Sequence, residues 1–388
     1  MVNILYVFGG EKASGAEKVI QRLIDNNLSA VKPHLFVSPG AYADNLIKTN
    51  QDKYAIHLLD ELKKLNRSSA GKLGFYFKAI SNCLTVSYKV LKFAKTNSIA
   101  VVHANTIVPA FYLFPAIVLA KIFRKDLKFV WSDHDLKYYS AFDNKLAAAA
   151  FKLYDATLTV SNAVKKKYPV SDKVITLYNG LDLNEYQPDS SRGEKFRHLH
   201  AIQNDDFVIG MAGTIEHRKG QLGLIQAFKK LSSQYPKFKL LLAGPLSADD
   251  EAYGNDFLNA VEHDNGIYYL GKISDMPGFY NACDVIVNNS NLEGSEPLGT
   301  TIYEAMAIEK IVAASNTGGS PEIIDNGQDG YLFTCDDQNS LAETLEKIFL
   351  DHEKLDIIRK NARAKVEEKF NVKTMVRAYN ALIGKLVN

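Results

Sequence analysis

Cysteine is scarce in this sequence of 388 residues: Cys83, Cys283 and Cys335 are odd in number, far apart, and never form a CxxC pair. That argues against a disulfide framework and a thiolate zinc site, and it fits a reducing compartment. Long apolar runs are lacking as well. The longest, Ile107 to Ala120, contains Pro109 and Pro115. It falls short of the roughly 20 residues that span a bilayer and reads as a buried helix. The N-terminus runs straight into a strand-like stretch, Asn3 to Phe8, so no signal peptide is expected and the chain reads as cytoplasmic. In that compartment the Asn-x-Ser triplets at Asn66 and Asn288 would never meet the glycosylation machinery. Fixed-period repeats and low-complexity tracts are also missing, which leaves out solenoids and linker-like chains.

What is present is ordinary for a globular enzyme, with 23% charged and 46% hydrophobic residues. The length exceeds one ordinary core and favours two domains. The net charge of +2 hides an asymmetry. Through Glu185 there are 25 Lys/Arg against 15 Asp/Glu, a net of +10, and the remainder holds 21 against 29, a net of −8. A basic half suggests an anionic partner.

Short β-rich runs alternate with longer amphipathic stretches, the mark of parallel βαβ units. A first series runs from Ile4–Phe8 to Val174–Tyr178, with helical patterns such as Glu17–Asn26 and Ala79–Ala94 between. The polar stretch Asn179–Asp206 reads as a linker, and a second series begins at Phe207–Ala212. The expected fold class is α/β, with doubly wound domains over residues 1–185 and 186–370. A last helix, 371–388, would cross back to the first domain. Two such domains leave a cleft between the carboxyl ends of their strands, where these sheets bind ligands.

The motifs fall just after strands. Gly9-Gly10-Glu11-Lys12-Ala13-Ser14-Gly15-Ala16 joins the first strand to a helix, and small residues there let backbone amides approach an anion. It is neither a Walker loop nor a GxGxxG turn, and a purely structural turn is an equal reading. A stronger signal lies between Asn289 and Ala307. A strand leads into Gly299-Thr300-Thr301 at a helix start, with Glu296 before the helix and Glu304 on its second turn. Free amides there can hold a diphosphate, with a carboxylate at each end of an elongated ligand. The competing reading makes the two glutamates solvated surface charges.

Glu296-x7-Glu304 followed by Ala-Met-Ala resembles the E-x7-E signature of the retaining glycosyltransferases of family 4, which have the GT-B fold. Gly213-Thr214-Ile-Glu-His-Arg218-Lys219-Gly220 resembles that family's loop after the first strand of the second domain. Leu242–Pro245, Tyr269–Lys272, Asn316–Glu322 and Asn326–Gly330 also match. In the first half, Ser14–Glu17, Val102–Ala104, Asp133-His134-Asp135 and Asn179–Asp182 are similar to family patterns. The resemblance implies transfer of a sugar from a nucleotide-sugar, UDP-linked, to a glycan or lipid-linked acceptor. It also implies the roles. Glu304 would hold the donor ribose; Lys219, with Arg218, would neutralise the diphosphate. Amides of Gly299, Thr300 and Thr301 would cap the phosphates, and Gly15 and Ala16 would close over them. Glu296 would face the transferred sugar, and His134 would sit at the reacting carbon. No cofactor and no metal are expected. Thr214 departs from the pattern, since the family commonly has Arg there.

Rival readings accompany these. His103 follows an apolar strand and reads equally as a core histidine, so it is left out of the catalytic set. Asp133-His134-Asp135 imitates a D-x-D metal motif of a different architecture. From Leu62 to Lys95 eight basic and no acidic residues alternate with aromatics, which reads as either a face for an anionic membrane or a solvated basic helix. Nucleic acid is not expected, because no binding module is recognisable. At the level of function the rivals are a UDP-sugar 2-epimerase of the same architecture and a non-catalytic, sugar-binding partner subunit.

Overall fold

The computed structural model describes residues 1–12, 14–63, 71–138, 140–262 and 264–388, without the side chains of residues 71–73, 352 and 353. Ala13 of the glycine loop, Lys64 and Arg67 of the basic stretch, and the triplet at Asn66 lie outside the described residues, as does the side chain of Lys72.

The chain divides into two compact units: Met1–Gly180 with Val372–Asn388, and Leu181–Asn371. The first holds seven strands: β1 (Val2–Phe8), β2 (Val31–Val37), β3 (Ala55–Leu58), β4 (Val101–Asn105), β5 (Lys128–Asp133), β6 (Ala156–Thr159) and β7 (Val174–Thr176). All pair in parallel, in the order β3-β2-β1-β4-β5-β6-β7. Parallel strands are buried on both faces, which is why Ile4–Phe8 is apolar without alternation. The chain runs β1 to β3 in one direction and continues from β4 in the other, so the order reverses between β1 and β4.

The second unit holds β8 (Phe207–Ala212), β9 (Phe238–Ala243), β10 (Ile267–Tyr269), β11 (Val285–Asn288), β12 (Ile311–Ser315) and β13 (Tyr331–Phe333). Their order, β10-β9-β8-β11-β12-β13, is again parallel and reverses between β8 and β11. Crevices at the carboxyl ends of strands at such reversals are where open α/β sheets take ligands.

Three local readings are corrected. The polar stretch expected as a linker contains the helix Ser190–Leu199. Asp189 caps it by accepting from the Arg192 amide at 2.9 Å. Its Gly193 lies so close to the next helix that a Cβ would stand 2.6 Å from the Asn281 carbonyl oxygen. The apolar run from Ile107 is two helices, Ile107–Tyr112 and Phe114–Phe123, broken at Leu113 before Pro115. The second is not wholly buried, since Val118 and Leu119 are exposed. The strand β3 was not foreseen, because Ala-Ile-His-Leu lacks a β-branched run and sits at a sheet edge.

The last helix, Val372–Val387, packs in the first unit. Its Tyr379 hydroxyl lies 2.9 Å from His103 Nδ1, and its Asn380 exchanges 2.8 Å bonds with Asn27. His103 is fully buried and also bonds Ser132 Oγ at 2.7 Å through Nε2. It is a satisfied core histidine.

Candidate functional site

In the second unit, Lys219 and Glu296 meet at the reversal of strand order. Lys219 sits in a 3-10 turn, His217–Lys219, after β8. Glu296 lies in the loop after β11. They form an ion pair at Oε1 of Glu296, with side chains only 16% and 15% exposed. Ser290 Oγ donates to the same oxygen at 3.0 Å, and Asn288 Nδ2 approaches it at 3.5 Å. Burial pushes the Glu296 carboxyl up, but the Lys219 charge and the bonds from Lys219 and Ser290 outweigh it and hold the group below its usual range. Among the described residues these donors converge on Oε1, which leaves Oε2 for a ligand.

The helix Thr300–Ala307 begins four residues after Glu296. Gly299 at its N-cap offers no side chain to cap the first turn, where the Ile302 amide donates to the Gly299 carbonyl at 3.1 Å. Thr301 Oγ1 is held by Asn288 Nδ2 at 3.2 Å. On the second turn Glu304 accepts a 2.7 Å bond at Oε2 from the buried Tyr280 hydroxyl. Arg218 points elsewhere: its Nε lies 2.7 Å from Glu216, and nearly half of its side chain is exposed. The loop after β12 closes the group from behind. Gly318 has φ 56°, and a Cβ there would stand 2.2 Å from the Glu296 carbonyl oxygen. The Gly319 amide donates to that carbonyl at 2.9 Å. The backbone of Glu296 is thus pinned by a contact that no larger residue permits.

In the first unit, His134 follows β5 and Asn105 ends β4. His134 Nε2 lies 2.8 Å from Asn105 Oδ1. An amide oxygen accepts, so Nε2 carries the proton and Nδ1 keeps its lone pair. Burial lowers the His134 pKa to about 4, with Asp133 pulling the other way. Thr106, which follows Asn105, has φ 71°, an unusual value for a β-branched side chain. Asp133 does structural work. Fully buried, it accepts from Tyr138 at 2.7 Å, from Tyr168, and from Lys167 at 2.7 Å. Its carboxylate is therefore committed, and Asp135 is tied to it through a backbone bond of 3.1 Å.

Gly15 and Ala16 open the helix Gly15–Asp25, where Ser14 and Glu17 form a capping box. The Ala16 amide donates to Ser14 Oγ at 3.2 Å, so it reaches an anion only when that cap opens. A Cβ at Gly15 would meet nothing within 4 Å. This residue borders open space.

Residues 193–365 match the family described as glycosyl transferases group 1, and residues 14–185 match glycosyltransferase family 4. Each match covers a little under half of the chain, and together they make both of its halves similar to glycosyltransferases of these families. CapM of Staphylococcus aureus, a capsular polysaccharide biosynthesis glycosyltransferase, is 33% identical over 193 residues, 50% of this chain and 49% of that protein. An Escherichia coli UDP-Gal:alpha-D-GlcNAc-diphosphoundecaprenol alpha-1,3-galactosyltransferase is 26% identical over 68% of this chain and 66% of its own. The first curated relatives are matched over only 49%, 58% and 59% of their lengths. HepE of Anabaena, crystallised with UDP, shares the fold at a TM-score of 0.82 and 23% identity, covering 99% of this chain and 100% of that one.

Within this glycosyltransferase fold, Thr214 stands where the resemblance called for Arg. Its carbonyl accepts from Gln221 at 2.8 Å, which fixes the turn but supplies no charge. Sequence reasoning missed Asn105, Thr106, Ser290 and Tyr280. Asn105 and Tyr280 bond partners 29 and 24 residues away, Ser290 lies only six residues from Glu296 but carries no motif of its own, and Thr106 shows itself only in its backbone angle.

Proposed function

We propose that this chain transfers a sugar from a nucleoside diphosphate, UDP-linked, to a glycan or lipid-linked acceptor in surface polysaccharide or glycolipid assembly. The transfer retains anomeric configuration and uses no metal ion. The observation that carries the reading is Glu296 held against Lys219 beside an uncapped helix start, with Glu304 one turn further on. The UDP seen with HepE and the UDP-Gal named for the Escherichia coli relative support the donor class.

The chemistry follows from charge. Breaking the sugar–phosphate bond places negative charge on the departing diphosphate. Lys219 and the amides of Gly299, Thr300 and Thr301 are groups that stabilise such charge. Glu304, oriented by Tyr280, accepts from the ribose hydroxyls, and Glu296 Oε2 accepts from the sugar. Arg218 joins the phosphate contact by exchanging its Glu216 partner. His134 is neutral at physiological pH, and the family resemblance gives it the reacting sugar and gives Gly15 and Ala16 the phosphates. The acceptor oxygen bonds to the anomeric carbon from the leaving-group side as the phosphate bond breaks, and the departing phosphate takes the acceptor's proton. A lipid-linked acceptor places the enzyme peripherally at the inner face of a membrane.

The test is release of nucleoside diphosphate from a panel of UDP-sugars with chelator present, for wild type, His134→Ala and Glu296→Gln. Turnover that falls about a hundredfold in the variants while UDP still binds is expected. Epimerised donor without acceptor product would assign the chain to the epimerases. Nucleotide binding without turnover of any donor would make it a non-catalytic subunit.

A further inference from the structure

The helix Gly71–Thr96 is apolar on two faces. The inner one, with Cys83, Val86, Val90 and Ala94, is buried in the core of the first unit. The outer one carries Phe77, Ile80, Leu84 and Tyr88 at steps of three or four residues, and these are 68%, 57%, 57% and 65% exposed. Packed beside it, the helix Phe114–Phe123 adds Val118, Leu119, Ile122 and Phe123, all exposed and Phe123 by 74%. A surface helix ordinarily turns its outer face polar. Isolated apolar residues on a surface need no account, but two neighbouring helices with contiguous apolar faces do.

The rim has one sign of charge. Neither helix contains an acidic residue, and Lys78, Lys92, Lys95, Lys121 and Lys125 are exposed around them. The adjacent acids are already answered: Asp60 by Lys63 at 2.9 Å, Glu61 by Lys89 at 2.7 Å and Asp126 by Arg124 at 2.8 Å. So Lys63 and Lys89, two of the basic residues read in the sequence, are committed to neighbours, and the apolar side chains form most of the face. Among the described residues no helix is long and apolar enough to cross a membrane.

We propose that these two helices dock the protein on an anionic lipid bilayer, with the apolar side chains entering the interface and the lysines meeting the headgroups. A second copy is disfavoured as the occupant, because two-fold pairing would set one basic rim against another. The proposal is independent of the donor reading, because lipid binding is measured without nucleotide.

The experiment is co-sedimentation of the full chain with vesicles of phosphatidylcholine alone and of phosphatidylcholine with phosphatidylglycerol, at low and moderate salt. The protein is expected to pellet with the anionic vesicles and to be released by salt. Phe77→Ser/Ile122→Ser/Phe123→Ser should lower partitioning about tenfold or more, as should Lys92→Glu/Lys95→Glu/Lys121→Glu. These exposed positions contribute little to folding, and unchanged circular dichroism checks that. Recovery of wild type in the supernatant with both vesicles would overturn the proposal, as would pelleting that neither variant reduces. A dimer in sedimentation velocity that the serine variant alone dissolves would give the face to a second copy.

Discussion

Replacing Lys219 with alanine should destabilise the protein through the residue left behind. Glu296 is 15% exposed and keeps Ser290 at 3.0 Å as a donor, but it loses the cation that offsets its burial. Truncating one partner of a fully buried ion pair costs about 3–5 kcal/mol, whereas exposed pairs contribute about 0–1 kcal/mol. A pair with some solvent access and one remaining donor falls between these, at about 2 kcal/mol. The pH dependence carries a sign. In wild type the Glu296 carboxyl lies below its usual range, so its contribution is present above the unfolded-state pKa and lost as pH falls through the folded one. In Lys219→Ala burial dominates, the carboxyl rises, and protonation relieves the orphan charge. The deficit should therefore be largest near neutral pH and shrink below about pH 5. Urea unfolding of wild type, Lys219→Ala, Glu296→Gln and the double variant at both pH values measures this. A coupling energy of about 1–2 kcal/mol near neutrality is expected, with the double variant more stable than Lys219→Ala. Additive single effects with no pH dependence would refute the account of the pair.

Gly318→Ala should destabilise by about 2 kcal/mol or more, because φ 56° and a carbonyl 2.2 Å from the new Cβ both oppose it; thermal unfolding reads this. Asp133→Asn should cost about 3 kcal/mol in the same assay, since a fully buried carboxylate bonded to two tyrosine hydroxyls and Lys167 loses its charge beside that lysine. His103 and His134 are held down at about 3 and about 4, by burial first in both. Their unfolded forms bind protons at higher pH, so stability should fall as pH drops from about 6.5 towards those values. His103→Gln should flatten that slope in urea titrations across the range.

The fold was largely legible because parallel strands buried on both faces leave unmistakable apolar runs, as in Ile4–Phe8 and Val285–Val287. Ser190–Leu199 was not, because its helix is held by Asp189 and by Gly193 against Asn281, contacts invisible in a polar string. At the site, Glu296, Glu304 and the helix start were visible from local spacing. The pairing of Lys219 with Glu296, 77 residues apart, was not. The same holds for the tyrosines that commit Asp133, which turn an apparent metal motif into a structural hub.

The reversal point of the second sheet is proposed to bind a nucleoside diphosphate. Calorimetric titration of UDP into the protein with chelator present tests it most directly, comparing wild type, Lys219→Ala and Glu304→Gln. Saturable binding to wild type, weakened about tenfold or more in each variant, is the predicted result. Absence of binding to wild type, or equal binding to all three, would contradict the account.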